Sequence, residues 1–454
     1  MVQSHSPQKP GDVVIEAPDA TPWQVTAAVA ASRSAQREWW AGSAAARAQA
    51  LAGAAEVVAD AADELTELVV REVGKPLGEA RGEVARAVAI LRYYSQQVFD
   101  PIGAVHEPSS SGLLYTRRYP HGVAGLITPW NFPIAIPLWK AAPALAFGNS
   151  VVLKPAPEAT ACAIRLVELL DTVLPDGLVT VLPGDAEPGS ALVAEADVVS
   201  FTGSIEAGHS VAAAATERGI PVQAEMGGQN PAIVLPEADL DAAARQIASA
   251  AMGYAGQKCT ATKRVIVVGN TAPFRNALVS AVEDMTNGDP AEAGTTVGPV
   301  ISEAARTSVV DAAEDARRVG GTILTGGTTS GNDGWFVQPT VVEGVPSDHR
   351  LARQEVFGPI CLLQSAADLD EAVRTANDVP HGLVAAVYTR DLTTALAAGD
   401  RLHAGMVKVN APTAGVDYYL PFGGEKASSV GQREQGKAAQ DFYTATKTIT
   451  VAPG

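Results

Sequence analysis

The spacing of apolar and polar positions changes character along the chain. Up to about residue 99, helical spacing dominates. Leu51, Ala55, Val58, Leu65, Leu68 and Val69 share one face, and Val84, Val88, Leu91 and Val98 mark another amphipathic helix. Between them, Gly74-Lys75-Pro76 is a stop signal. Residues 1–20 read as a frayed lead-in. From Asp100 to about Tyr119 the chain is richer in Pro, Ser and Gly, and reads as a connection that includes an extended hairpin or arm.

From Gly122 the period shortens. The runs GVAGLIT, NSVVLKP, LVTVLPG and DVVSFTGS alternate with segments of helical composition over 160–173, 186–195 and 204–217. Alternating βα units predict a parallel sheet covered by helices, with ligands at the carboxyl ends of its strands. Each run ends in a turn carrying Pro, Gly or a polar residue, which places the expected site there. A further α/β portion spans about 228–432. Thr444–Val451 reads as a late strand of the kind that pairs away from its own core, sometimes across a subunit boundary.

Composition narrows the partners. The 454 residues carry 33 basic and 50 acidic side chains, a net charge of −17, which repels phosphate backbones and anionic membranes. Nucleic acid and membrane are therefore not expected partners. No apolar run approaches the ~20 residues of a spanning helix. The first ten residues lack the apolar core of a secretion signal. The three cysteines, Cys162, Cys259 and Cys361, form no disulfide framework and fit a reducing, cytosolic compartment.

A few residues could carry chemistry. Cys259, in GQKCTAT, sits on a loop between a helical segment and the strand RVIVV; it is either a buried structural cysteine or an accessible thiol with a depressed pKa. A thiolate attacks an aldehyde carbonyl, and the adduct can lose hydride to become a thioester. Cys162 and Cys361 lie among apolar residues and read as core. Glu225, in QAEMGGQNP, is a strand-end surface carboxylate or, if buried, a general base with a raised pKa. Asn131, in TPWNFPI, caps a turn or offers its amide to an oxyanion. Thr202-Gly203-Ser204 opens a helix after the strand DVVSF and could hold a pyrophosphate, although the G-x-G-x-x-G fingerprint is absent. Lys154, closing NSVVL, is a solvated cap or a ligand of ribose hydroxyls or a 2′-phosphate. Glu355, in QEVFGPI, is a carboxylate that could hold the nicotinamide ribose. No metal site is expected.

Together, TPWNFPI, FGNSVVLKP, FTGSIEAG, AEMGGQNP, AGQKCTAT, QEVFGPI and PFGGEK occur in the order found in the aldehyde dehydrogenase superfamily, which the chain resembles over nearly its whole length. The resemblance implies an α/β fold of two Rossmann-type domains with a small β bridging element. Residues 1–99 and 121–227 would bind cofactor, 228–432 would form the catalytic domain, and 100–120 with 433–454 would bridge subunits of a homodimer or homotetramer. It implies Cys259 as nucleophile, Glu225 as general base and Asn131 as oxyanion-hole amide beside the Cys259 N–H. Lys154, Gly184, Gly203, Ser204, Trp130, Glu355 and Phe357 would contact NAD or NADP. Within the superfamily, NFPIAIPLWKAAPALAFGNSVV, AGQKCTAT and especially NAPTAGVDYYLPFGG are similar to the α-ketoglutarate semialdehyde (2,5-dioxovalerate) dehydrogenases. Two departures stand out. Glu425-Lys426-Ala427 replaces that subgroup's usual Arg-Lys-Gly. Pro157-Glu158 displaces by one residue the acid that often marks NAD use, which leaves NADP open. The alternatives are a CoA-acylating relative, against which Glu225 argues, a non-catalytic homologue, and a cysteine hydrolase, for which no histidine motif is present.

Overall fold

The computed structural model describes residues 1–331 and 333–453. Its centre is a six-stranded sheet built from Val123–Thr128, Ser150–Pro155, Val179–Val181, Val198–Thr202, Val222–Glu225 and the short edge strand Ser429–Val430. All pairings are parallel except that of the edge strand, which runs antiparallel to Val222–Glu225. The first four strands are the apolar runs read from the sequence. Their helices, Thr160–Leu170, Ala186–Glu195 and Ile205–Glu217, fall within or beside the expected segments. The strands are buried on both faces, which is why their apolar residues run continuously instead of alternating.

A second sheet of seven strands includes Pro231–Val234, Arg264–Val268, Thr340–Glu343, Ile360–Ala366, Val384–Tyr388 and Met406–Val409. It is parallel but for its edge strand Thr322–Thr325. A third sheet joins Thr444–Val451 to Leu113–Pro120 over eight residue pairs, with Val105–His106 on the other side. The late strand thus pairs with the arm, as its position in the chain suggested.

The amino-terminal helices Pro22–Ala41, Ala44–Asp60, Ala62–Val73 and Leu77–Gln97 supply one wall of the first core. Leu51, Ala55, Val58, Leu65 and Val69 are fully buried there, although the run is cut into two helices at Ala61. Gly74 ends the third helix in the left-handed region, φ +63°, as the stop signal required.

Residues 1–20 are not a frayed lead-in. Val2–Ser6 and Lys9–Ala17 form an antiparallel hairpin, with Val2, Ser4 and Ser6 buried. Its anchor is the buried carboxylate of Glu72, which accepts from Ser4 Oγ (2.7 Å) and from the backbone N–H groups of Ala161 and Cys162 at the start of a helix. Two of the three inward residues of the first strand are serines, so the alternation carried little hydrophobic signal.

The topology positions the site. Each of the five parallel strands of the first sheet ends in a residue or turn singled out in the sequence: Trp130-Asn131, Lys154, Gly184, Gly203-Ser204 and Glu225. The second sheet presents the opposite ends of its strands. Cys259 precedes Arg264–Val268, and Glu355 and Phe357 precede Ile360–Ala366. Carboxyl ends of one sheet and amino ends of the other therefore contribute to one cleft.

Candidate active site

The cleft holds a cavity of about 650 Å³. Trp130, Asn131, Gly203, Ser204, Cys259, Glu355 and Phe357 line it, together with Thr202, Ile205, Met226 and Gly227. Residues from 130 to 357 in the chain thus share one space. Lys154, Gly184 and Glu225 do not line that cavity.

Cys259 is partly exposed on its loop, which removes the buried structural alternative, whereas Cys162 and Cys361 are buried. Its thiol is not depressed. Burial raises its pKa, and the nearby carboxylates of Glu355, Glu225 and Glu434 raise it further. Lys258 is the neighbouring positive charge in the sequence. In the structure Lys258 turns away to Glu79, 2.7 Å off.

The loop that bears Cys259 is held from several sides. Asn230 donates to the carbonyls of Cys259 (2.7 Å) and Ala261 (2.8 Å). Gln257 accepts from the Ile301 N–H (2.8 Å) and donates to Pro299 O (3.2 Å). Before it, Tyr254 and Ala255 occupy the left-handed region at φ +53° and +51°, a strained turn at the foot of the loop. Gly256 follows at φ +64°, and a Cβ there would lie 2.3 Å from Gly358 O. Gly256→Ala is expected to lower kcat/KM at least about tenfold, since 1.4 kcal/mol of misplacement is tenfold. Steady-state kinetics beside a thermal melt would test this; unchanged kcat/KM would show that the close approach does not position the thiol.

Asn131 does not cap its turn with its side chain. Its Nδ2 donates to Gln257 O at 2.9 Å, which ties it to the Cys259 loop and leaves a second amide hydrogen for another acceptor. The following helix, Ala135–Ala146, is seated by Glu83 Oε1, which accepts from the N–H groups of Ile134 (2.9 Å) and Ala135 (3.0 Å).

Glu225 ends its strand but is only 2 % exposed, so the surface alternative falls. Ser429 Oγ donates to its Oε2 at 2.5 Å. Burial and the charge of Glu434 push its pKa well above the usual carboxylate range, against the smaller opposing pull of Ser429, Lys140 and Arg433. Glu434 is itself paired with Lys140, whose ammonium also donates to Ser200 Oγ at 2.8 Å.

At the other end, Lys154 is buried and not a solvated cap. Its Nζ donates to Pro155 O and Gly184 O, both at 2.8 Å, which brings two sequence candidates together. Burial lowers its pKa to about 8, with Asp185 and Glu158 pulling the other way. Ser204 caps Ile205–Glu217 by accepting from Ala207 N–H at 3.3 Å. The rings of Trp130 and Phe357 meet edge to face at 5.6 Å.

Several buried polar atoms here lack a hydrogen-bond partner: Asn131 Oδ1, Thr202 Oγ1, Glu225 Oε1 and Glu355 Oε1. Buried polar atoms are nearly always paired, so such a group marks a place built for a ligand or a reaction.

A sequence model of the aldehyde dehydrogenase family matches residues 1–449. The chain belongs to the aldehyde dehydrogenase family. Among its relatives, the alpha-ketoglutaric semialdehyde dehydrogenase of Bacillus subtilis is 40% identical, over 100% of this chain and 95% of that protein. The alpha-ketoglutarate semialdehyde dehydrogenase of Haloferax volcanii is 41% identical, over 98% and 94%. The crystal structure of an NAD-dependent aldehyde dehydrogenase from Sinorhizobium meliloti superposes with a TM-score of 0.96 at 34% identity, covering 100% of this chain and 92% of that one.

For this aldehyde dehydrogenase, sequence reasoning missed the support around the reactive groups: Asn230, Gln257, Lys140, Ser429 and Glu434. Asn230 lay in a motif already noted, AEMGGQNP, and a buried amide next to a Gly pair was a usable signal. Ser429 and Glu434 carried none, because they reach the site from the far end of the chain. The segment Pro412–Tyr419, part of the stretch similar to the semialdehyde dehydrogenases, does not line this cavity; Tyr418 packs on Tyr93, with ring centroids 5.7 Å apart. Lys426 of the departing triplet points away as well, to the carbonyls of Asn377 (2.7 Å) and Val379 (3.2 Å).

Proposed function

We propose that this aldehyde dehydrogenase oxidises a short dicarboxylate semialdehyde to the acid, through a thioester on Cys259 that water resolves, with NAD as hydride acceptor. The observation that carries the mechanism is the meeting of Cys259 and Asn131 in one cavity, with the Asn131 amide tied to the loop that bears the thiol. The substrate class rests on the two semialdehyde dehydrogenases above, which align over nearly all of the chain.

The residues fit a dinucleotide. The unpartnered Glu355 Oε1 borders the cavity and is an acceptor for a ribose hydroxyl. Gly203 and Ser204 open a helix whose N-terminus favours pyrophosphate. Lys154 and Gly184 would serve the adenosine ribose, and Trp130 and Phe357 the nicotinamide end. When bound, the nicotinamide supplies a hydride acceptor. Glu158 and Asp185 both exert negative fields at Lys154. A 2′-phosphate there would meet like charge, so NAD is preferred to NADP.

In the first step the Cys259 thiol gives up its proton and the sulfur adds to the aldehyde carbon. That proton passes to solvent water, which reaches the partly exposed thiol through the cavity. The carbonyl oxygen gains negative charge, which the free amide hydrogen of Asn131 and the Cys259 N–H stabilise. After hydride loss, Glu225 takes a proton from the water that attacks the thioester carbon. Its raised pKa makes it a strong enough base for that task. Asn131 and the loop then accept the second oxyanion, and the Cys259 sulfur leaves.

The cofactor-binding unit would comprise the first sheet with its helices, and the catalytic unit the second. The three-stranded sheet, which exposes Val105, Leu113 and Val451, would join subunits into a dimer or tetramer. Among the described residues no helix is long and apolar enough to cross a membrane.

A panel of aliphatic, aromatic and semialdehyde substrates, assayed with NAD, NADP and added CoA, tests the reading. The expected outcome is highest kcat/KM for a dicarboxylate semialdehyde, at least about tenfold preference for NAD (1.4 kcal/mol), and free acid as product with or without CoA. A CoA requirement would overturn the hydrolytic step. Preference for a cationic or aromatic aldehyde would overturn the substrate class.

A further inference from the structure

Lys263 stands four residues after Cys259 and is 3 % exposed. Its Nζ donates to Gly256 O and Gly358 O, each at 2.9 Å. Gly256 leads into the nucleophile loop, and Gly358 directly follows Phe357 on the loop that carries Glu355. Lys263 therefore bridges the two loops at the point where Gly256 approaches Gly358 most closely. Two neutral carbonyls give a buried ammonium no counter-charge, and a buried charge needs one.

Glu355, on the loop that Lys263 reaches through Gly358, acts on the ammonium electrostatically without a direct ion pair. Burial raises the pKa of that carboxyl to about 7, while Lys263 and the Gly228 N–H pull it back down. Lys263 is itself lowered to about 8 by burial, with Glu355 opposing. Cys259 interacts with Glu355 and Cys361 with Lys263, and burial raises both thiols. Of the remaining groups on the cavity wall, Arg353 pairs with Asp378 at 2.9 Å, and burial lowers the pKa of His381. Glu355 Oε2 lies against Gly227, where an added Cβ would sit 1.8 Å away, so the carboxylate has little room to turn.

We propose that Lys263 is a positioning residue for the cofactor: its ammonium ties the loop of Cys259 to the loop of Glu355 and supplies the counter-charge that keeps Glu355 an acceptor for a ribose hydroxyl. This rests on the reading of Glu355 as a ribose ligand. A protonated Glu355 loses acceptor capacity, so NAD affinity weakens as pH falls through the Glu355 pKa. Removing the lysine's charge moves that edge to higher pH.

The test is NAD binding to the whole enzyme by calorimetry between pH 6 and 9, as order-of-magnitude limits of the titration range. In Lys263→Gln, which keeps a donor but loses the charge, the acid edge should move up by about one pH unit, weakening binding about fivefold near pH 7 and restoring it near pH 9. Lys263→Arg should leave the edge in place. Lys263→Met serves if the Gln variant does not fold. An edge that stays put in the neutral variants, or a loss equal at every pH, overturns the proposal. Glu355→Gln separates the two readings. It should weaken binding and remove the edge. If instead it leaves NAD binding unchanged, the ribose reading itself fails. If it weakens binding while the Lys263→Gln edge is unmoved, only the role of Lys263 fails.

Discussion

Cys259→Ala should abolish aldehyde-dependent NAD reduction, with a loss of about 10⁴-fold or more, while NAD still binds. The size follows from the chemistry. Without sulfur there is no covalent adduct, and neither Cys162 nor Cys361 can substitute, because both are buried away from the cavity. The small side chain leaves the loop anchors intact, since Asn230 and Asn131 hold backbone carbonyls and not the thiol. Rapid-mixing absorbance at 340 nm would give the rate, and calorimetry would give NAD binding. Turnover near that of the unaltered enzyme would remove Cys259 from the mechanism. Because burial and three carboxylates raise the thiol, acylation in the unaltered enzyme should quicken as pH rises.

Glu225→Gln should separate the two halves of the reaction. The amide is nearly isosteric but cannot take a proton from water, so deacylation should slow about 10²- to 10⁴-fold. The acylation half should persist, giving a burst of NADH close to the enzyme concentration followed by a slow steady rate. The pH profile adds a second check. Glu225 acts as a base only when ionised, and its pKa is raised, so steady turnover should climb with pH through that raised value. The climb should flatten in the Gln variant. An unchanged steady rate after a full burst would exclude Glu225 as the deacylation base.

Much of the fold could be read from the sequence because buried parallel strands leave continuous apolar runs with polar turns at their ends. Trp130, Ser204 and Cys259 stood in such turns or in a short loop before a strand, and the structure gathers them around one cavity. Other features had no local signature. Two of the three inward residues of the first strand are serines. The electrostatic state of Cys259 depends on Glu225, Glu355 and Glu434, which no spacing rule brings together. Lys258, adjacent in sequence, pairs elsewhere, so a charge inferred from the neighbouring residue pointed the wrong way. Glu225 and Ser429 meet across 204 positions, a contact that only the folded chain reveals.

That last contact bears on how the enzyme matures at the ribosome. The thiol is synthesised long before the edge strand Ser429–Val430 that packs on the base, and before Glu434, which pairs with Lys140 across 294 positions. Domains fold as they emerge, amino-terminal parts first. A nascent chain could therefore assemble most of the first sheet while its base still lacked the hydroxyl and carboxylate that tune it. On the proposed mechanism, hydrolytic competence would arrive late in translation, once residues 429–434 have joined the fold.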